Sequence, residues 1–241
     1  MSLPVFIHPD LSRVEMGQQV TLEGAEARHA VTVKRLEPGE RLKLIDGTGS
    51  IVEATVTATT GKDGLSAVAD SVAQAREPQP RVVVVQAIPK SERAELAVDL
   101  ATQSGADEII AWQAERCVAK WADPKKAAKA LAKWQASAVA AAKQSRRARI
   151  PQVRGPLSTA QLAQEISGSC AYVLHEEATA SIRDVPLQGT VYILVGPEGG
   201  IGADELAKLP AQPIKLGPEV LRTASAAMVA LAAIGMRTPR W

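Results

Sequence analysis

Two Gly-Pro turns near the C-terminus carry the residue types best suited to holding a small ligand. Gly196, Pro197, Glu198, Gly199, Gly200 and Gly202 follow the apolar run Val191 to Val195, and Gly217-Pro218 follows the short stretch Pro213 to Leu216. A β-branched run bounded by Gly and Pro reads as a buried strand of a parallel sheet. The ends of such strands are where open α/β sheets bind small molecules, and glycine lets the backbone turn sharply and bring its amides close to a ligand. Two loops of this kind at neighbouring strand ends would line one pocket. The alternative is a pair of tight strand-to-helix turns with no ligand.

Phosphate is the first ligand to consider, because glycine loops ahead of helices often cradle one. The loop matches neither GxGxxG nor the P-loop pattern GxxxxGK, no Lys follows it, and Glu198, Asp204 and Glu205 crowd it. Carboxylates suit a helix N-terminus but repel an anion. A neutral or cationic adenosyl ligand, held through backbone groups, fits better.

A second chemical feature is a run of positive charge. Residues 123–149 hold Lys125, Lys126, Lys129, Lys133, Lys143, Arg146, Arg147 and Arg149 against a single acid, Asp123, in a chain whose formal net charge is only +2. Asp123 followed by Pro124 marks a helix start, as N-cap and first helical residue. On a helical wheel Lys125, Lys129, Lys133, Lys143 and Arg147 fall within about 80° of one another, opposite Ala127, Leu131, Trp134, Ala138 and Ala141. One face is expected to pack and the other to meet an RNA backbone; an ordinary solvated helix face would mix its signs. A smaller basic group, Arg28, Lys34 and Arg35 with His29, lies on an expected helix from Ala25 to Val33 and is a second candidate for RNA phosphate.

The elements that must position these groups fall into two domains. Among 241 residues, 46% are apolar but only one is Phe and two are Tyr, so the core rests on Val, Leu, Ile and Ala. Short β-branched segments at Val5–Ile7, Gln19–Leu22, Arg41–Ile45, Ile51–Thr59 and Leu65–Ala73, separated by turn signals, suggest a small barrel or compact sheet over residues 1–75. The polar, twice Pro-interrupted stretch 76–80 is the expected linker. Residues 81–241 then alternate strand and helix: strands at Val82–Ala87, Glu108–Trp112, Cys170–Leu174, Val191–Val195 and Pro213–Leu216, with helices over Ser91–Gln103, capped by Ser91, near Ser158–Ile166, and from about Glu219. That rhythm implies a parallel sheet covered on both faces. Cys117 and Cys170 match no metal spacing and read as reduced thiols. No metal site, leader or membrane span is expected, and a cytoplasmic protein is.

With these motifs in view, the chain resembles a known family. LVGPEGGIGADEL (Leu194 to Leu206), LGPEVLRTASAA (Leu216 to Ala227), AERCVAKW (Ala114 to Trp121) and AAKQSRRARIPQV (Ala141 to Val153) resemble the RsmE family of 16S ribosomal RNA uridine-N3 methyltransferases. RHAVTVKRLEPGE (Arg28 to Glu40) and LIDGTG (Leu44 to Gly49) extend the likeness into the first domain. The resemblance implies an N-terminal PUA-like β-barrel domain for RNA, followed by a C-terminal SPOUT α/β domain with a parallel sheet and a trefoil knot. It implies S-adenosyl-L-methionine as cofactor, the small ribosomal subunit as partner, and a homodimer.

The resemblance assigns the cofactor loops, and the chemistry of the reaction it implies, with the charge pattern above, suggests the other roles. Leu194, Gly196, Pro197, Glu198 and Gly199 of the first loop, with Leu216, Gly217, Val220 and Leu221 of the second, would hold the cofactor. Arg222 would stabilise the uracil anion, since a guanidinium is always charged and donates in a fixed fork, and Arg116 would orient the base or its phosphate. Lys129, Lys133, Arg146 and Arg147 join Arg28, Lys34 and Arg35 as RNA contacts. No general base stands out; His175 and Glu176 are candidates. Two positions depart from the family pattern: Ala224-Ser225 stands where Glu-Thr is usual, and Glu219 where Arg is. Competing readings are a SPOUT enzyme for transfer RNA or a ribose hydroxyl, and a non-catalytic RNA-binding assembly factor.

Overall fold

A computed structural model describes residues 3–241, apart from the side chains of residues 91 and 92. By its contacts the described chain divides into two units, one of the residues up to 77 with 142–150 and one of residues 78–141 with 151–241. The sequence had assigned 142–150 to the second domain; its packing joins it to the first.

The first unit is a five-stranded mixed sheet. Its strands are β1 (Val5–Ile7), β2 (Gln19–Glu23), β3 (Arg41–Ile45), β4 (Ser50–Thr60) and β5 (Gly64–Gln74), in the order β1-β3-β4-β5-β2. Only β1 and β3 pair in parallel. Register shifts on β4 at Glu53/Ala54 and Val56/Ala58 sharpen the local twist, as bulges do. Alternate residues of β4 point inward, so Val52, Ala54 and Val56 join Phe6, Leu22, Leu42 and Leu65 in one apolar core. Helix α1 (Gly24–Arg28) runs directly into a single wide π turn, His29–Val33, over the stretch expected as one helix.

The second unit is the α/β layer. Strands β6 (Arg81–Ala87), β7 (Glu108–Gln113), β8 (Gln152–Ser158), β9 (Cys170–Leu174), β10 (Thr190–Val195) and β11 (Gln212–Ile214) form one sheet in the order β11-β9-β10-β6-β7-β8. Every pairing in it is parallel. Central strands such as β6 and β10 are buried almost end to end because helices cover both faces: Val82 to Val85 and Val191, Ile193 and Leu194 are 0–1% exposed. Helices α2 (Ser91–Gln103), α3 (Pro124–Gln144), α4 (Thr159–Glu165), α5 (Ala203–Leu206) and α6 (Thr223–Arg237) complete the chain. Among the described residues, no helix is long and apolar enough to cross a membrane.

Local chemistry sets the helix starts. Asp123 Oδ1 accepts the Lys126 amide at 2.8 Å, the N-cap bond the sequence called for ahead of Pro124. Ala127, Trp134, Ala138 and Ala141 are buried along the apolar side of α3. Ser158 caps α4 in a reciprocal box: its hydroxyl accepts the Gln161 amide at 3.3 Å while Gln161 Oε1 accepts the Ser158 amide at 2.9 Å. Lys90, not Ser91, holds the cap position of α2; the Ser91 side chain that was expected to cap it lies outside the described residues.

Three elements differ from the sequence reading. β8 was not expected, and Gly155-Pro156 interrupts it. It is an edge strand, where proline is tolerated, and the pair is accommodated at a bulge opposite Ala111, between the partners Ile110↔Arg154 and Trp112↔Leu157. α6 starts at Thr223 rather than near Glu219, since Arg222 is its extended N-cap, at φ −71° and ψ 146°. The apolar periodicity that drives the helix begins only at Ala224, and residues 217–222 stay open as loop. β11 ends at Ile214, which frees Lys215 and Leu216 for that loop.

Candidate functional site

Both glycine loops open from the C-terminal edge of the second sheet. In register, Leu194 of β10 pairs with Val173 of β9, and Leu174 of β9 pairs with Ile214 of β11, so three strands end together. A cleft of about 670 Å³ lies over that edge, lined by Leu174, Val195 and Ile214 as its floor and by the loops 196–201 and 215–222 as its walls. A shallower depression of about 430 Å³ by Ala163, Lys208 and Pro210 bears no convergent chemistry.

Most of the sequence-predicted ligand residues meet in this cleft. Gly196, Pro197, Glu198 and Gly199 line one side, and Leu216, Gly217, Val220 and Leu221 the other. Leu194 does not reach it. That side chain is 0% exposed within the core, because only the last residue of β10, Val195, arrives at the strand end. Glu198 lines the rim and also accepts the Lys90 amide at 3.2 Å, so its carboxylate bonds the residue that leads into α2.

The chain passes Arg116 closely at two glycines. A Cβ on Gly199 would stand 3.2 Å from the Arg116 carbonyl oxygen, and one on Gly202 would stand 3.1 Å from Arg116 Nη2. Gly200, at φ +69°, turns the loop between them. Arg116 in turn donates from Nη1 to the Gly199 carbonyl at 3.3 Å. Arg116 and Arg222 both line the cleft, and so do Arg93 and Lys215, which the sequence reading did not single out. Four carboxylates, Glu176, Glu177, Glu198 and Glu219, stand with them. His175, considered as a base, lines the cleft as well, and its Nδ1 accepts the Glu177 amide at 3.3 Å.

Two of the acids read as repelling an anion have separate fates. Asp204 is exposed in the first turn of α5, whereas Glu205 is wholly buried, accepting from the Glu115 amide and the Thr159 hydroxyl. Glu205 therefore faces the protein interior rather than a ligand. At Ala224, 4% exposed, the helix packs where the resembled family carries a Glu.

The basic residues divide as well. Lys125, Lys126, Lys129 and Lys133 are exposed along α3. Lys143, placed on the same face by the wheel, is instead taken up by Glu26 at 2.7 Å and lies over the Phe6 ring, 5.9 Å from its centroid. Its charge is spent within the first unit. Arg28, Lys34 and Arg35 are exposed around the π turn, Arg146 is exposed and Arg147 half-buried. Arg35 and Arg146 both adopt left-handed backbone, at φ 56° and 59°.

Residues 75–235 match the model of an RNA methyltransferase domain, and residues 22–69 that of an RNA methyltransferase PUA domain. The ribosomal RNA small subunit methyltransferase E of Mycobacterium tuberculosis is 48% identical over 237 residues, which cover 94% of this chain and 90% of that relative. The protein of the same name from Bacillus subtilis is 30% identical, over 97% of this chain and 96% of its own. Among solved structures, a ribosomal RNA small subunit methyltransferase E from Neisseria gonorrhoeae bound to S-adenosyl methionine is similar at a TM-score of 0.87 and 26% identity, over 98% of both chains. A Legionella pneumophila methyltransferase in complex with SAM is similar at a TM-score of 0.87 and 29% identity, again over 98% of both. The fold and cleft define an RNA methyltransferase, and the chain belongs to the ribosomal RNA small subunit methyltransferase E family.

Proposed function

We propose that this chain transfers the methyl group of S-adenosyl-L-methionine to N3 of a uridine in the 16S RNA of the small ribosomal subunit. The observation that carries this reading is the convergence of Arg116 and Arg222 on a cleft walled by two glycine loops. A volume of about 670 Å³ lies within the range of small-molecule sites. The walls offer backbone groups of Gly196–Gly199 and Leu216–Leu221 for an adenosyl moiety, and the rim carboxylates suit a cationic sulfonium better than a phosphate. Those features fit the cofactor, which when bound supplies an activated methyl carbon.

The chain's own residues do the rest. The imide nitrogen of uracil is weakly acidic and normally paired, so the base must be unpaired or flipped to enter the cleft. Arg222, at the mouth of α6, holds the negative charge that grows on the uracil oxygens as the N3 proton passes to water in the open cleft. Arg116 orients the base or its flanking phosphate. Much of the acceleration comes from in-line positioning of nucleophile and methyl donor.

Residues 78–141 with 151–241 form the methyltransferase part and the unit of residues up to 77 with 142–150 an RNA-binding part, with Arg28, Lys34, Arg35, Lys129, Lys133, Arg146 and Arg147 meeting phosphate. The C-terminal stretch is read as a trefoil knot, supported by β10 lying between β6 and β9 while β11 returns to the far side of β9. The working molecule is a homodimer in the cytoplasm. The test is incubation with labelled cofactor and small subunits from a strain lacking this gene, followed by mapping of the labelled nucleotide. Label at N3 of one uridine is expected; label on a ribose hydroxyl or only on transfer RNA would overturn the reading.

A further inference from the structure

Among the described residues, the most deeply buried acid lies beside the cleft and has no part in the chemistry just described. Glu205, in α5, is 0% exposed. Its Oε1 accepts the Glu115 amide at 2.8 Å and the Thr159 hydroxyl at 2.6 Å. The same hydroxyl accepts the Trp112 indole N–H at 3.1 Å. Glu205 Oε2 has no partner among the described residues. An acid so placed must justify its desolvation through the bonds it makes, and all of them converge on one oxygen.

That oxygen holds the turn that carries Arg116. β7 ends at Gln113, and the chain leaves it through Ala114 and Glu115. The Glu115 amide is fixed by Glu205 Oε1, its carbonyl accepts Lys120 Nζ at 3.0 Å, and its exposed carboxylate meets Lys208 at 2.7 Å. The next residue is Arg116, whose guanidinium crosses the glycine loop to reach the Gly199 carbonyl. Glu205 lies three residues beyond Gly202, the glycine against which that guanidinium rests. One carboxylate oxygen thus ties the exit of β7, the start of α4 and the helix after the glycine loop to one another.

We propose that Glu205 is a positioning residue for methyl transfer: by accepting the Glu115 amide it fixes the turn after β7 and so aims the Arg116 guanidinium into the cleft. This rests on the reading of Arg116 given above. Positioning by second-layer hydrogen bonds is how rigid sites hold a group to within a fraction of an ångström, and misplacement by about 1 Å costs on the order of 100-fold in rate. Glu205 touches neither substrate nor cofactor in this scheme. Its effect passes through Arg116.

The test uses the full chain, small subunits from a strain lacking this gene, and labelled S-adenosylmethionine. Glu205→Ala is expected to lower kcat by roughly 10- to 100-fold, with cofactor affinity by calorimetry changed less than about threefold. Glu205→Gln keeps an acceptor oxygen at the same reach and restores most of the rate. Glu205→Asp withdraws the oxygen by one methylene and stands in for the alanine variant if that chain does not fold. In a double-mutant cycle the loss from Glu205→Ala vanishes in an Arg116→Ala background, because both changes disable the same group. Additive losses, or a rate that falls only in step with cofactor binding or folded fraction, overturn the proposal.

Hydrogen exchange at the Glu115 amide gives a readout free of activity. Protection in the wild type and in Glu205→Gln, lost in Glu205→Ala or Glu205→Asp, is the expected pattern; equal protection in all four overturns the positioning role even if the chain methylates nothing. A wild-type chain that transfers no methyl group while this exchange pattern holds removes the functional reading and leaves the Glu205–Glu115 tether standing.

Discussion

Arg240 and Asp107 form an ion pair at 2.7 Å in which the two side chains are 5% and 10% exposed. Arg240, the residue before the C-terminus, also donates to the carbonyl oxygens of Pro80 and Gly105. Asp107 accepts the Val82 amide at 2.8 Å as well. The pair therefore closes the edge of the sheet where β6 and β7 begin. Removing one partner of a buried pair leaves the other charge desolvated, which costs about 3–5 kcal/mol. Arg240→Ala should lower the unfolding free energy by that order in urea titration, and a loss under about 1 kcal/mol would mean that water reaches Asp107 freely.

Arg222 stands at the N-cap of α6 with its backbone extended and its side chain exposed along the cleft. Among the described residues, its guanidinium makes no hydrogen bond or ion pair in the resting fold. Arg222→Ala should therefore spare stability and cofactor affinity while cutting methyl transfer on the order of 100-fold, the usual cost of removing one donor to a developing anion. Single-turnover assays at saturating cofactor measure this. Parallel loss of cofactor binding would shift Arg222 from the reaction to the architecture of the loop.

The contrast between Arg222 and Glu205 shows what a sequence can carry. Local signals were readable: the Val191–Val195 run, the Cys170–Leu174 strand, the Asp123-Pro124 helix start and the buried side of α3 each follow from neighbours a few residues apart. The glycine loops were readable as a pocket because strand, Gly and Pro stand in sequence. Glu205 was not. Its partner amide at Glu115 lies 90 residues away, so from the sequence it is only one more acid near a helix start. Lys143 fails for the same reason, since Glu26 is 117 residues distant. β8 was hidden because Gly155-Pro156 argues against a strand unless the strand is known to lie at an edge. The helical wheel, the Pro rule and the charge rule were each sound; what they lacked was the pairing across the fold.

The exposed lysines of α3 give a third prediction, one about salt. If Lys129 and Lys133 meet phosphate, each contact releases condensed counterions, and the slope of log affinity against log salt should fall by about 0.7–0.9 per lysine lost. Both side chains are solvent-exposed, so Lys129→Glu and Lys133→Glu should fold normally. Subunit binding measured from 50 to 200 mM salt is the check, with the maximal methylation rate expected to survive at saturating subunit. A slope identical to that of the wild type would remove these lysines from the RNA surface.

His29 links acid sensitivity to the first unit. Its ring meets Phe6 edge-on, with centroids 5.6 Å apart, and partial burial, reinforced by the positive charge of Lys143, pushes its pKa below the ordinary 6.5. Glu26 pulls the other way and does not prevail. The sign follows from proton uptake: below pH 6.5 the unfolded chain binds a proton that the folded chain still refuses, so stability falls as pH falls. Above neutrality both states carry neutral His29, and the difference disappears. The loss begins near the unfolded value and levels off once the pH passes below the folded one. Urea midpoints at pH 7.5 and 5.5 should therefore differ more for the wild type than for His29→Gln, which has no proton to take up. Because Lys143 contributes to the shift, Lys143→Met should also flatten the profile, although it removes the Glu26 ion pair and lowers stability at both pH values. If His29→Gln retains the wild-type difference between the two midpoints, the acid sensitivity of this unit arises from its carboxylates and not from the imidazole beside Phe6.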